Sequence, residues 1–141
     1  MNMNFKEYLS THDLHLTEEV TDEGTIYSGL FEISDGVEVP FGIIINEIGS
    51  LINFQVVFSE LASFFYKEID YALDRINDLN RKGQGYYHLF LENDGQVHLR
   101  TVGLTKDYEI IYQILFCGAR TASQVYPALQ EKGDMSSWEK N

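Results

Sequence analysis

The chain has few of the residues that build disulfide frameworks, rigid loops and cationic surfaces. It contains one cysteine, two prolines, one tryptophan and ten lysine and arginine residues in 141 positions. The single cysteine, Cys117, excludes an intrachain disulfide and any metal site that needs several thiolates of this chain. Because Cys117 lies in an apolar run, we expect a buried, unreactive thiol. No stretch approaches the roughly 20 consecutive apolar residues that span a bilayer.

The scarcity of basic residues leaves a large excess of negative charge. Twenty-two aspartate and glutamate residues give a formal net charge of −12 at pH 7. Such a chain repels nucleic-acid phosphates and anionic lipids, so we expect neither nucleic acid nor a membrane as a partner. Residues 1–7 lack the basic start and apolar core of a signal peptide. Together with the single cysteine, this predicts a cytoplasmic protein.

The residues that are present predict a folded globule. Hydrophobic residues make up 44% of the chain and aromatic residues 13%, which is enough to build a core without disulfides or structural metals. We expect one domain over residues 1–130. Residues 131–141 lack any periodicity and are predicted to form a flexible C-terminal tail.

A long amphipathic helix is predicted over residues 61–82. Ser59 or Ser63 is the candidate N-cap, and Gly83 ends the helix. Asn80 lies on the apolar stripe, where we expect its amide to bond main-chain groups near the turn at residues 83–85. The stripe recurs every three or four residues: Phe65, Ile69, Ala72, Leu73, Ile76, Leu79 and Asn80.

A two-stranded hairpin is predicted after this helix. A two-residue loop at Asp94-Gly95 would set apolar residues opposite polar ones. A three-residue loop with Gly95 in the left-handed conformation instead pairs Leu91 with Val97 and Leu89 with Leu99, which gathers the apolar residues on one face. We therefore predict the three-residue loop. The other face then pairs Phe90 with His98 and His88 with Arg100.

The remaining pattern predicts a first helix over residues 4–11, four strands between residues 14 and 58, and a last helix with Thr105 as N-cap. Pro40 cannot donate a ladder hydrogen bond, so it predicts an edge strand or a bulge. The order α-β-β-β-β-α-β-β-α, with short turns between strands, indicates an α+β fold with an antiparallel sheet. The predicted buried face of the last helix comprises Tyr108, Ile111, Tyr112, Leu115, Ala119, Ala122, Tyr126 and Leu129.

The run Ile76-Asn77-Asp78-Leu79-Asn80-Arg81, the turn Glu92-Asn93-Asp94-Gly95-Gln96 and the strand end Leu99-Arg100 resemble the YbjN-type "sensory transduction regulator" domain. That domain is similar in fold to the type III secretion chaperones. The resemblance extends over most of the chain as element order and implies a two-layer architecture. It also implies a small acidic cytosolic protein that is often dimeric, binds other proteins and has no catalytic residues.

Candidate chemistry in the sequence has simpler structural explanations. His88 and His98 are diagonal neighbours with no third ligand nearby, which is a poor zinc site. Residues 83–85 run from helix to strand, opposite to a phosphate-binding loop. No nucleophile motif is present. We therefore expect no enzyme activity, no metal and no cofactor.

The sequence favours a non-enzymatic protein-binding module, chaperone-, adaptor- or regulator-like, that acts as a homodimer. The predicted partner-binding residues lie on the second face of the sheet: Phe90, His88, His98, Arg100 and Ile44. One alternative is a small-ligand-binding or catalytic domain with a cleft between the sheet and the long helix. Another is an acidic inhibitor or immunity-type protein that neutralises a basic target.

Overall fold

The computed structural model describes residues 3–131, which form one six-stranded sheet and three α-helices. The elements follow in this order: α1 (Phe5–Thr11), β1 (Thr17–Thr21), β2 (Gly24–Ser34), β3 (Val37–Ile48), β4 (Leu51–Ser63), α2 (Ile69–Lys82), β5 (His88–Leu91), β6 (Gln96–Thr105) and α3 (Tyr108–Gln130). A 3-10 turn, Tyr66–Glu68, precedes α2. The predicted α+β class and element order are confirmed.

The sheet is antiparallel throughout, with strand order β1-β2-β3-β4-β6-β5. In β3, and in β4 as far as Phe58, buried residues alternate with more exposed ones, so only one face of these strands is buried. Val39, Phe41 and Ile43 of β3 are at most 3% exposed, while the residues between them are partly exposed. Successive side chains of a strand point to opposite faces, so this alternation directs one apolar set to the core.

The β5–β6 hairpin has the predicted register. Leu89 pairs with Leu99 and Leu91 with Val97. Gly95 has φ +87°, and its N–H donates to the Glu92 carbonyl over 3.0 Å. The three-residue loop is therefore confirmed, and with it the apolar and polar faces of the hairpin.

The predicted start of the long helix is wrong. Residues 61–63 continue β4, and α2 begins only at Ile69, so the helix has 14 residues and a length of about 21 Å. Neither Ser59 nor Ser63 caps it, and Phe65 is 73% exposed instead of facing the core. A bulge in β4, where Glu60 has φ +58°, places Leu61 and Ala62 both in the core. Two adjacent buried residues interrupt the two-residue period of the strand, and in the sequence this pattern resembles the start of the apolar stripe of a helix.

Pro40 does not mark an edge strand, because β3 lies inside the sheet between β2 and β4. Its pairing with β4 begins only at Phe41. Pro40 therefore has a paired neighbour on the β2 side alone, and its missing N–H is tolerated because the ladder with β4 has ended. That ladder ends where the β4 bulge begins, after Phe58, so of the two predicted alternatives the structure supports a bulge beside Pro40.

All three helices lie on one side of the sheet, and α3 crosses its middle. Asp107, not Thr105, caps α3 by accepting a hydrogen bond from the Glu109 N–H over 2.9 Å. The buried line of α3 differs by one position from the predicted one: Gly118 and Val125 are buried, whereas Ala119 and Tyr126 are only partly so. Gly118 lets the helix approach closely, since a Cβ there would lie 2.4 Å from the Phe58 ring.

The predicted tail falls almost entirely outside the described residues. Within residues 3–131, no helix combines the length and the apolar character that a bilayer crossing requires.

Candidate functional site

The helix-free face of the sheet is the candidate site, and we call it the open face. Its side chains alternate with those of the core along β2 to β6. Leu30, Val102 and Leu104 on this face are 61–62% exposed, and Phe90 is 42% exposed. Exposed apolar side chains that share one face are typical of surfaces that contact other molecules.

Four of the five predicted partner-binding residues form one group on the open face, which we call the basic–aromatic corner. His88 lies opposite Arg100, and Phe90 lies opposite His98. The Arg100 guanidinium carbon lies 5.8 Å from the centre of the Phe90 ring, and its Nη2 donates to Gln55 Oε1 over 3.1 Å. A shallow recess of about 210 Å³ opens here between Tyr86, Phe90 and Arg100.

His98 adds an unusual polar atom to this corner. Its Nδ1 is buried without a hydrogen-bond partner among residues 3–131. Its Nε2 lies 4.0 Å from Glu92 Oε1, which is too long for a hydrogen bond. The corner therefore presents an arginine, two imidazoles and an aromatic ring to solvent, a combination suited to polar and aromatic groups of another chain.

Ile44 lies on the same face but outside the corner. Two rows of paired residues cross the sheet here. One row runs Ser28-Gly42-Val57-Arg100-His88, and the next runs Ile26-Ile44-Gln55-Val102. Neither row contains a carboxylate between β2 and β5. In a chain with a net charge of −12, the centre of the open face thus lacks the charge that dominates the remaining surface.

Sequence reasoning missed the most exposed apolar residues of this face, Leu30, Val102 and Leu104. The predicted hairpin pairs reach only to Arg100, but β6 continues to Thr105. The signal was present, since Val102 and Leu104 continue the alternation of His98 and Arg100.

One edge of the sheet is closed by a side chain. The Asn80 Nδ2 donates to the Leu89 carbonyl over 3.0 Å, and Asn80 Oδ1 accepts from the Leu89 N–H over 2.8 Å. The amide of α2 therefore occupies the hydrogen-bonding positions that a strand beyond β5 would use. The expectation that the Asn80 amide bonds main-chain groups is confirmed, and these groups belong to Leu89 of the edge strand that follows the turn at residues 83–85.

The opposite edge is β1, whose pairing is limited to β2. Among residues 3–131, no backbone hydrogen bond reaches β1 from any other element. Val20 is 77% exposed. The Lys6 Nζ lies 3.9 Å from Glu18 Oε1, a contact between exposed groups that contributes little stability.

Solvent-open recesses occur away from the predicted cleft between sheet and α2. One of about 550 Å³ lies at the β3–β4 turn, where Glu47, Lys106 and Tyr108 meet. There the Tyr108 hydroxyl donates to Glu47 Oε1. Burial, and secondarily the Glu47 carboxylate, raise the pKa of Tyr108 to about 12. The group is thus a neutral donor at pH 7, and no convergent buried acid and base accompany it.

Other candidate reactive groups show a structural role. Cys117 is half-buried, not buried as expected, and lines a recess of about 250 Å³ beside Arg120. Glu68 is 6% exposed and accepts a hydrogen bond from the Phe65 N–H over 2.7 Å. In the described part of the chain, no group of three or more His, Cys, Asp or Glu side chains is arranged to hold a metal ion.

No protein-family model matches the sequence, and no curated protein matches it at a significant level.

Proposed function

We propose that the chain is a non-enzymatic protein-binding module that acts as a homodimer in the cytoplasm. The observation that carries the proposal is the open face: exposed apolar side chains on a helix-free sheet surface whose two central rows contain no carboxylate. Two copies, each with a net charge of −12, repel one another at long range. A carboxylate-free patch is where they approach at least cost, so we assign the centre of the face, Ile44 and Val102, to the second copy.

The basic–aromatic corner is assigned to a segment of a partner protein. Arginine and aromatic residues are enriched at protein interfaces, where they supply much of the binding energy. Arg100 and Phe90 are already in contact, which reduces the entropy that binding must overcome. The order of elements also supports the proposal that the chain is a YbjN-type regulator domain with a chaperone-like role. The single cysteine is consistent with a reducing compartment.

The test is the solution mass of the protein measured by light scattering. We expect the wild-type chain of 16.2 kDa to form a dimer, and Val102→Glu, which adds a carboxylate to the centre of the open face, to be a monomer. Ile110→Glu is the matched control, since Ile110 is also a partly exposed apolar residue, 41% exposed, but lies on α3. A monomeric wild-type protein, or equal effects of the two variants, would contradict the assignment.

The partner arm of the test uses Phe90→Ser and Arg100→Glu in affinity capture from lysate. The captured proteins should be lost with both variants and retained with Ile110→Glu, while circular dichroism confirms that each variant is folded. Retention of every captured protein by the folded corner variants would show that the corner is wrongly assigned.

A further inference from the structure

We propose that β1 is a docking strand for an extended, lysine- or arginine-rich segment of a partner protein, which pairs with β1 as a seventh strand. The inference rests on the proposed function, because it names where and in what form a partner segment adds to a protein-binding module. It concerns an edge of the sheet and not the open face.

The main chain of β1 is available for pairing. Alternate residues of an edge strand direct their N–H and C=O groups away from the sheet. At the β5 edge, these groups of Leu89 are both bonded by Asn80. At the β1 edge, the described residues provide no such partner. The sheet therefore offers unpaired backbone along one side, over a strand of five residues or about 17 Å.

The charged side chains of β1, Glu18 and Glu19, oppose pairing with another acidic strand but not with a basic one. Thr17–Thr21 has no proline, no lysine and no glycine. It has three β-branched residues, Thr17, Val20 and Thr21, which favour the extended conformation.

Charge complementarity decides which segment fits. Four carboxylates lie in β1 and the turn that follows it: Glu18, Glu19, Asp22 and Glu23. Lys6 is the cation that approaches them, at 3.9 Å from Glu18. Antiparallel pairing of two copies through β1 would bring two such sets of carboxylates together, and like charges on opposed strands are destabilising. A segment that alternates basic and β-branched residues would instead set positive charges opposite these carboxylates, which stabilises the pairing.

The experiment measures binding of a capped eight-residue peptide of alternating lysine and valine, by calorimetry at 150 mM salt. The comparison peptide has the same sequence with N-methyl groups on all of its internal backbone amides, so its charge is unchanged but neither of its edges can donate hydrogen bonds to β1. We expect the affinity of the methylated peptide to be lower by about tenfold or more, because it loses two or more main-chain hydrogen bonds. Equal affinities would overturn the proposal and indicate nonspecific attraction to an acidic protein.

Protein variants locate the binding site. Glu19→Lys should weaken binding of the unmethylated peptide at least fivefold, whereas Asp74→Lys, an identical charge change at an exposed position of α2, should leave it within twofold. Equal weakening by both variants would refute β1 as the site. If the peptide fails to bind while dimer formation still depends on Val102, only this inference is wrong; if the peptide binds and the wild-type protein is a monomer, only the assignment of the open face is wrong.

Discussion

The two edges of the sheet differ in how their main-chain groups are satisfied. On the β5 side, Asn80 bonds both groups of Leu89, and the buried Tyr87 donates its hydroxyl to the Ile114 carbonyl over 2.8 Å. On the β1 side, the hairpin with β2 is the only backbone pairing among the described residues. The difference shows that a single amide on a helix can bond the outward main-chain groups of an edge strand, which are otherwise available for pairing with another chain.

The two edges of the sheet also differ in how much they are expected to contribute to the stability of the fold. The β5 edge is held by α2 and α3 and belongs to the core, because Leu89 and Tyr87 are at most 2% exposed. The β1 edge is exposed and acidic, and its loss would uncover little of the core. Segments that bind ligands are often drawn from the less stable parts of a fold, so the exposed β1 edge fits the docking strand that we propose.

The largest effect is expected at the turn that joins β5 to β6. At Gly95, with φ +87°, an added Cβ would lie 2.1 Å from the main-chain oxygen of Phe64. Gly95→Ala should therefore lower the free energy of unfolding by about 3 kcal/mol, from backbone strain and overlap together. The measurement is urea unfolding followed by circular dichroism.

The matched control lies at the other end of the sheet. Gly36, in the β2–β3 turn, has φ +74°, but an added Cβ meets nothing within 4 Å. Gly36→Ala should cost only about 1 kcal/mol, the cost of the left-handed backbone alone. Equal losses for the two variants would mean that the contact between Gly95 and Phe64 does not hold the β5 side in place.

The next effect concerns the closed edge itself. Asn80→Leu removes two hydrogen bonds and leaves both Leu89 groups unpaired, so we expect a loss of about 2 kcal/mol. Size-exclusion chromatography should also show new higher oligomers, because the β5 edge becomes available for pairing. Asn80→Asp keeps the acceptor for the Leu89 N–H but sets a carboxylate oxygen against the Leu89 carbonyl, and should lose at least as much.

Asn77→Leu serves as control, since Asn77 is exposed on the same helix. We expect its free energy of unfolding to change by less than about 0.5 kcal/mol. If Asn80→Leu behaved like this control, the amide would not close the edge.

A smaller effect is expected in alkaline solution. Tyr27 and Tyr87 lie near the two edges, and burial raises the pKa of both above the usual value of 10.0. The Glu18 carboxylate raises the pKa of Tyr27 further, whereas the additional influence on Tyr87 comes from Cys117. Because the folded state binds these protons more tightly, their contribution to stability is complete below pH 10 and declines as the pH rises above it.

Tyrosinate absorbance between pH 9 and 12 measures this effect, together with urea unfolding at each pH. Glu18→Gln should lower the pKa of Tyr27 and leave that of Tyr87 unchanged, which would distinguish the acidic edge from the closed one. If the tyrosines of the folded and the unfolded protein ionised over the same pH range, the assigned burial would be wrong.

Much of the fold could be predicted from local pattern. Alternation in β3 and β4 depends only on the two-residue period of a strand with one buried face. The hairpin register followed from gathering the apolar residues on one face, with Gly95 in the left-handed conformation, and it placed His88, Phe90, His98 and Arg100 together. The start of α2 could not be predicted, because the β4 bulge at Glu60 breaks the period and the apolar residues after it fit both a strand and a helix.

The features that distinguish the two edges depend on tertiary contacts. Asn80 was recognised as an unusual polar residue on an apolar stripe, but its partner, Leu89, is set by where α2 lies against β5. The assignment of β1 as the other edge depends on the strand order of the whole sheet. Neither fact has a signal in nearby sequence.

Hydrogen–deuterium exchange, resolved to single amides by NMR at pH 7, tests the difference between the edges most directly. We expect the Leu89 amide to exchange only through global unfolding, whereas the outward-facing amides of β1 should exchange at least a hundredfold faster and become protected when the lysine–valine peptide is added. Slow exchange along β1 in the free protein, or fast exchange at Leu89, would contradict the claim that one edge of this sheet is closed and the other is open.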